Sequence, residues 1–142
     1  MSPLAVIGVS HLTAPVGIRE RFAFTSGEAT AALDELRTRA GISEGVLLST
    51  CNRAELYLYP GSDPQLEAAE AVLSRKAGEL VGGIKQYLYR YEGPESVRHL
   101  YRVAGGLDSL VLGEAEIQGQ VKGAYELAEK VPVHPPLAGP VI

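Results

Sequence analysis

Val-Leu-Leu-Ser-Thr-Cys-Asn-Arg-Ala-Glu-Leu-Tyr-Leu-Tyr, residues 46–59, contains two runs of strand-forming residues separated by a polar corner. The first run, from Val46 to Ser49, is mostly apolar, and in the second Leu56 and Leu58 alternate with tyrosines before Pro60. Short apolar runs and a period of two are both typical of β-strands. Because polar residues 51–53 separate the runs, we predict two strands that meet at a tight Cys-Asn-Arg corner.

On the amino-terminal side of this hairpin, the sequence predicts a strand, a loop and a helix. Residues 4–10 are mostly small or branched apolar and predict a buried strand, whereas residues 12–24 follow no period and predict a loop. Thr25 and Glu28 have capping-box spacing at the start of a helix that Gly41 ends. Its apolar positions are Ala29, Ala32, Leu33 and Leu36.

On the carboxyl-terminal side, the sequence predicts a second helix and a fourth strand. Asp63 and Pro64 supply a cap and a first-turn proline, and the helix is expected to continue to residues 82–83. Its apolar face comprises Leu66, Ala69, Leu73, Ala77 and Leu80. Tyrosines alternating at 87, 89 and 91 predict a strand that ends at Gly93.

This order of elements is that of the ferredoxin-like split βαβ unit, an α+β fold with one antiparallel sheet and both helices on one face. Two further helices are expected to follow. Pro94 opens the first, and the apolar stripes of the two are Val97, Leu100, Tyr101 and Ala104, then Ile117, Val121, Ala124 and Ala128. The apolar, glycine-bounded residues 105–113 between them are expected to pack back on the sheet near a site. We therefore predict a domain over residues 1–130 and a proline-rich linker or truncated end over 131–142.

Composition limits the function. With 142 residues the chain has the size of one domain, and its net charge of −4 argues against a protein that grips nucleic acid through bulk charge. A single cysteine excludes an intramolecular disulfide, and the three histidines lack zinc-ligand spacing, so no metal is expected. No Gly-x-Gly-x-x-Gly follows a strand, so no dinucleotide site is expected within the chain. Without a membrane-spanning apolar run or a signal segment, a cytoplasmic location is expected.

Four residues could carry chemistry, and three of them have a second interpretation. Cys51 lies among polar neighbours and could be a nucleophile or a small buried hydrophobe. Arg53 could bind a carboxylate or form a salt bridge with Glu55 or with an acidic residue elsewhere in the fold. His99 falls off the predicted apolar stripe, which predicts a solvated surface histidine or a group that exchanges a proton. His11 could also exchange a proton.

Three separated motifs, in the right order, resemble the signatures of the glutamyl-tRNA reductase family. They are residues 8–15 (Gly-Val-Ser-His-Leu-Thr-Ala-Pro), 49–53 (Ser-Thr-Cys-Asn-Arg) and 106–114 (Gly-Leu-Asp-Ser-Leu-Val-Leu-Gly-Glu). The resemblance covers residues 4–130, which correspond to the family's amino-terminal catalytic domain. In that family an NADPH-binding domain and a helical dimerisation domain follow, and both are expected to be missing here.

The resemblance implies that Cys51 takes the glutamyl group from glutamyl-tRNA as a thioester, which NADPH then reduces to glutamate 1-semialdehyde for tetrapyrrole synthesis. This chain would perform the thioester-forming half only. Arg53 is implied to bind the substrate carboxylate and His99 to be important for activity. Further substrate contacts are implied for Thr50, Asn52, Ser109, Glu114, Ala115, Glu116 and Gln120. Ala115 and Glu116 stand where the family usually has Pro and Gln, and Glu116 adds a negative charge near a site for an acidic substrate.

The implied partners are glutamyl-tRNA, glutamate-1-semialdehyde aminotransferase for product transfer, and a second copy of the full-length protein. No membrane partner is expected. Two other functions stay open at this point. One is a non-catalytic ferredoxin-like module that binds a regulator or partner protein. The other is hydrolysis, because a thioester without a reducing domain beside it is open to water.

Overall fold

The computed structural model describes residues 4–105. These residues form four strands, four α-helices and one short 3-10 helix. The strands are β1 (Ala5–Ser10), β2 (Glu44–Ser49), β3 (Arg53–Tyr59) and β4 (Tyr89–Glu92). The helices are α1 (Val16–Arg19), α2 (Ser26–Ala40), α3 (Asp63–Ala77) and α4 (Pro94–Ala104), with the 3-10 helix at Glu20–Phe22.

The strands form one antiparallel sheet in the order β2-β3-β1-β4. In the central pair, Ala5 of β1 lies opposite Leu58 of β3, and Ser10 lies opposite Arg53. This order and these directions are those of the split βαβ unit, so the predicted α+β class and the antiparallel sheet are confirmed. The hairpin at the Cys-Asn-Arg corner is present, with both strands longer than their apolar runs.

The first predicted helix, α2, has a local boundary signal at each end. Thr25 Oγ1 accepts a hydrogen bond from the Glu28 amide at 3.2 Å, and the Thr25 amide donates to Glu28 Oε1 at 2.9 Å. Gly41 follows the last turn with φ of 71°, a left-handed conformation that glycine adopts without steric cost. The capping box and the glycine stop therefore match the prediction for α2.

The structure corrects four details of the predicted elements. The loop over residues 12–24 contains α1 and the 3-10 helix. Helix α3 ends at Ala77, because Gly78 has φ of 72°, and Ser62 rather than Asp63 is its N-cap. Leu80 lies beyond the helix end but still packs on the main core. Its apolar side chain therefore extended the apolar period in the sequence past the end of the helix. Strand β4 begins at Tyr89, two residues after the first of the alternating tyrosines.

Both faces of the sheet are covered. On one face α2 and α3 pack over the main core, whose members include Ile7, Leu56 and Leu73. On the other face, α4 covers a smaller cluster formed by Val6, Leu48, Tyr57, Leu100 and Val103. Helix α4 therefore turns the side of the sheet that would face solvent into a second buried layer.

Half of the predicted apolar stripe of α4 is confirmed, because Leu100 and Ala104 are buried. Val97 and Tyr101 of the predicted stripe are exposed, whereas Ser96, His99 and Val103 are buried. Ser96 Oγ donates a hydrogen bond to the Leu4 carbonyl at 2.9 Å. Polar side chains that find partners within the fold can occupy a buried helix face, and a pattern of apolar residues alone does not reveal them.

The fourth predicted helix, the glycine-bounded connection and the proline-rich end lie outside the described residues. So do five of the predicted substrate contacts: Ser109, Glu114, Ala115, Glu116 and Gln120. Within residues 4–105, none of the helices is both long enough and apolar enough to cross a membrane.

Candidate active site

The cysteine turn, residues 49–53, connects β2 to β3 and is held by Thr50. The Thr50 hydroxyl oxygen accepts from the Asn52 amide at 3.0 Å and from the Arg53 amide at 3.2 Å. The Thr50 amide in turn donates to the Arg53 carbonyl at 2.8 Å. Thr50, predicted to contact substrate, thus shapes the turn through both its side chain and its backbone.

Cys51 projects from this turn with its side chain exposed. Its neighbour Asn52 is buried, and the Asn52 carbonyl accepts a hydrogen bond from the His11 amide at 2.9 Å. The alternative prediction, that Cys51 is a small buried hydrophobe, was therefore wrong. An accessible thiol on a fixed backbone is the geometry that a cysteine nucleophile needs.

Beyond the turn, alternation along β3 separates apolar from charged side chains. Ala54, Leu56 and Leu58 point into the main core. Arg53, Glu55 and Tyr57 point to the opposite face, beneath α4, where Arg53 is 2% exposed and Glu55 is 0% exposed. Since successive side chains of a strand face opposite sides, one strand supplies both layers.

The Glu55 carboxylate is the centre of a buried cluster formed with Arg53, Tyr57, Tyr89 and His99. Tyr57 Oη donates to Glu55 Oε1 at 2.7 Å. Around Oε2 lie Arg53 Nη1 at 3.5 Å, the Tyr89 hydroxyl and His99 Nε2. These donors come from β3, β4 and α4, so a single carboxylate joins three elements.

The ionisation of the cluster follows from its surroundings. Burial acts to raise the pKa of the Glu55 carboxyl, but the hydrogen bond and charge of His99, the charge of Arg53 and the Tyr89 hydroxyl together hold that pKa below its ordinary value. Burial and the negative Glu55 raise the pKa of Tyr89, and they raise that of Tyr57 well above its ordinary value. Glu55 is thus an acceptor and both tyrosines are neutral donors. A carboxylate cannot donate, so His99 Nε2 carries the proton in this pair.

Gly8 makes room for this cluster from the neighbouring strand. It lies opposite Glu55 in the pairing of β1 with β3. A Cβ at position 8 would lie 2.3 Å from the Ala54 carbonyl oxygen and 3.0 Å from Glu55 Cγ. Only glycine fits at this point, which gives a physical reason for the first residue of the Gly-Val-Ser-His motif.

The structure brings some predicted site residues together and corrects others. The surface interpretation of His99 was wrong, because its ring is 4% exposed and bonded to Glu55. The predicted salt bridge between Arg53 and Glu55 is present. Glu55 itself was missed as the centre of the site, although a charged residue inside a strand of alternating period was a signal for it. Among residues 4–105, no three His, Cys, Asp or Glu side chains are placed to hold a metal ion.

These features define a class: a ferredoxin-like α+β domain that presents a free thiol at a strand corner, next to a buried Arg-Glu-His cluster formed by β3 and α4. The family model described as "Glutamyl-tRNAGlu reductase, N-terminal domain" matches residues 7–137. The chain belongs to this family, as its three motifs indicated.

Relatives named glutamyl-tRNA reductase agree with this assignment. The protein from Thermodesulfovibrio yellowstonii is 47% identical over 133 residues, which cover 88% of this chain and 31% of that protein. The protein from Marinobacter nauticus is 50% identical over 130 residues, 89% of this chain and 29% of that protein. The solved structure of glutamyl-tRNA reductase from Methanopyrus kandleri superposes with a TM-score of 0.72 at 33% identity, covering 95% of this chain and 30% of that one. The chain thus spans about 30% of the length of these relatives.

Proposed function

We propose that Cys51 accepts the glutamyl group of glutamyl-tRNA, as the first half of the NADPH-dependent reduction of glutamyl-tRNA to glutamate 1-semialdehyde in tetrapyrrole biosynthesis. The observation that carries the proposal is the exposed Cys51 thiol on a turn whose neighbouring amides and carbonyls are hydrogen-bonded. Family membership supplies the substrate.

In the proposed step the Cys51 thiolate attacks the ester carbonyl that joins glutamate to the terminal ribose of the tRNA. A C–S bond forms, the C–O bond to the ribose breaks, and the ribose oxygen takes up the proton that the thiol lost on forming the thiolate. The products are a glutamyl thioester and free tRNA, with no change in oxidation state. A thioester carbonyl is less stabilised by resonance than an ester carbonyl, so it is the better acceptor for a later hydride.

The residues behind the turn support recognition of an acidic substrate. Arg53 ends the cysteine turn, and its planar guanidinium has the geometry that binds a carboxylate through two donors. We assign Arg53 to the substrate carboxylate and His99, oriented through Nε2 by Glu55, to proton transfer during the reaction. Asn52 and Thr50 complete the proposed site from the turn, and residues 109, 114–116 and 120 are proposed to add contacts from outside the described region.

The NADPH-dependent half of the reaction does not fit the described residues. Residues 4–105 form an antiparallel sheet, and the sequence has no Gly-x-Gly-x-x-Gly. We therefore assign NADPH to the part of the family's proteins that this chain does not span, and derive no hydride step here. Homodimerisation of the full-length protein, transfer of the semialdehyde to its aminotransferase and a cytoplasmic location complete the proposal.

The direct test is the formation of a thioester by the chain with glutamyl-tRNA that carries a labelled glutamyl group. Wild type is expected to acquire a label that neutral hydroxylamine releases, and Cys51→Ser is expected to acquire none. A normal labelled adduct on Cys51→Ser would contradict the proposal. A wild-type thiol that alkylates slowly and gains no protection from glutamyl-tRNA would favour a non-catalytic binding module instead.

The same assay separates acyl transfer from its side reactions. Glutamate released at equal rates with and without NADPH would show that water hydrolyses the thioester. Glutamate 1-semialdehyde formed by this chain with NADPH would contradict the assignment of the reducing half to another part of the protein.

A further inference from the structure

We propose that Arg19 is a positioning residue for acyl transfer, because its guanidinium bridges the carbonyl oxygens of Ala14 and Cys51 and so fixes the backbone that carries the thiol. This inference rests on the proposed role of Cys51 as the nucleophile. It assigns to Arg19 no contact with the substrate.

Arg19 is the last residue of α1, and its partly buried side chain reaches across to the cysteine turn. Nη1 donates to the Ala14 carbonyl at 2.7 Å, and Nε donates to the Cys51 carbonyl at 3.3 Å. Hydrogen bonds from a charged donor are roughly twice as strong as those between neutral groups. One rigid, planar group therefore holds two carbonyls from segments 37 residues apart in sequence at a fixed separation.

The segment that carries Arg19, α1 and the 3-10 helix after it, is itself held in place by contacts with the rest of the domain. Phe22, in the 3-10 helix that follows α1, is 0% exposed and belongs to the main core. Arg21 Nε donates to the Ala77 carbonyl at 2.8 Å, and Arg21 Nη2 donates to the Glu79 carbonyl at 2.9 Å. These contacts anchor the segment to the end of α3, so Arg19 has a rigid support.

Hydrogen bonds join residues 11–24 to the cysteine turn at three places. The Phe24 amide donates to Ser49 Oγ at 3.0 Å, and the His11 amide donates to the Asn52 carbonyl at 2.9 Å. These two bonds flank Cys51 and use backbone donors, so substitutions of side chains at 11 and 24 preserve them. The bond from Arg19 is made at Cys51 itself, and it depends on a side chain.

The expected consequence of losing Arg19 is a nucleophile that is present and accessible but poorly aligned. A displacement of about 1 Å in a reacting group can reduce a rate on the order of a hundredfold. We therefore expect Arg19→Ala to lower the rate constant of thioester formation at saturating glutamyl-tRNA by about 10- to 100-fold. The concentration of glutamyl-tRNA that gives half the maximal rate is expected to stay at its wild-type value.

The experiment measures single-turnover formation of the hydroxylamine-sensitive adduct by the full chain in wild type, Arg19→Ala and Arg19→Lys. Lysine keeps the charge but is a point donor without the planar fork, so Arg19→Lys is expected to recover only part of the rate. Free guanidinium ion at low concentration is expected to accelerate Arg19→Ala and leave wild type unchanged. Arg37→Ala is the matched control, because Arg37 donates to Asp34 within α2 and not to the cysteine turn or its support, and it is expected to acylate at the wild-type rate.

Several results would overturn the inference. These are wild-type acylation by Arg19→Ala, an equal loss in Arg37→Ala, or a loss confined to the half-saturating concentration, which would indicate substrate binding. Circular dichroism of each variant identifies unfolding. If Arg19→Ala is less stable, acceleration of its acylation by free guanidinium ion supports the inference, and no acceleration contradicts it. Absence of a thioester in wild type would refute the proposed function instead, so the two failures are distinguishable.

Discussion

Replacing Glu55 by glutamine is expected to destabilise the fold strongly, although the change removes only a charge. At 3.5 Å, the Arg53–Glu55 pair has a gross attraction of about 5 kcal/mol at an effective dielectric constant of about 20. Glutamine keeps an acceptor oxygen for a tyrosine hydroxyl but removes the negative charge that Glu55 places beside the buried guanidinium. Removing one partner of a buried pair costs about 3 to 5 kcal/mol, so we expect Glu55→Gln to lose about 3 kcal/mol or more.

Urea denaturation, followed by far-ultraviolet circular dichroism, measures this loss. Glu35→Gln is the matched control, because Glu35 pairs with Arg75 at the surface, where such pairs contribute about 1 kcal/mol or less. A difference between wild type and Glu55→Gln that is no larger than that of the control would refute the idea that Glu55 holds the layer beneath α4 together.

The pH dependence of the same measurement gives an independent check. The folded state lowers the pKa of Glu55, so its contribution is fully present above the ordinary value of 4.5 and is lost as the pH falls through the lower folded pKa. The stability difference between wild type and Glu55→Gln should therefore be largest near neutrality and should shrink on acidification below about 4.5. A difference that is constant down to the acid transition would contradict this assignment of the charge.

Two further predictions concern the same layer. Gly8→Ala should destabilise the fold by about 3 kcal/mol in the same denaturation assay, because the new methyl group would lie 2.3 Å from a backbone oxygen. Gly17→Ala is the control: a Cβ at position 17 would have nothing within 4 Å, so this change should be neutral or slightly stabilising. Equal effects of the two substitutions would contradict the close approach at Gly8. The raised pKa values of Tyr57 and Tyr89 mean that their contribution is present below about 10 and is lost as the pH rises further. In an alkaline absorbance titration, Tyr57 and Tyr89 should ionise only with unfolding, and substitution of either by phenylalanine should reduce that late phase. A titration with no late phase would refute the buried donors.

Local signals in the sequence were sufficient for the sheet and for α2. The period of two in β3, the capping box at Thr25 and the glycine at 41 each act within a few residues, so they can be recognised without knowledge of the fold. The end of α3 could not be recognised in this way, because Leu80 packs on the same core after the helix has ended. An apolar period reports burial, and burial continues beyond the hydrogen-bonded turns.

The candidate site was only partly predictable, for a different physical reason. Cys51 and Arg53 stood out as polar residues at a strand corner. The burial of His99 depends on Glu55, which is 44 residues away in sequence and comes from another element. The sequence around a polar residue on a helix does not show whether the sheet that packs against the helix carries a hydrogen-bond partner for it. The bridge from Arg19 to Cys51 likewise spans 32 residues and depends on the short helix that the sequence did not predict.

The alternation along β3 constrains how this segment can change. Its two sets of side chains, apolar towards α2 and α3 and charged towards α4, are interleaved residue by residue. Inserting or deleting one residue would change the parity of everything downstream and would push Glu55 or Arg53 into the apolar core while turning leucines towards the charged layer. Substitutions in β3 can therefore be tested one at a time, but its length is fixed by the requirement that both layers be correct together.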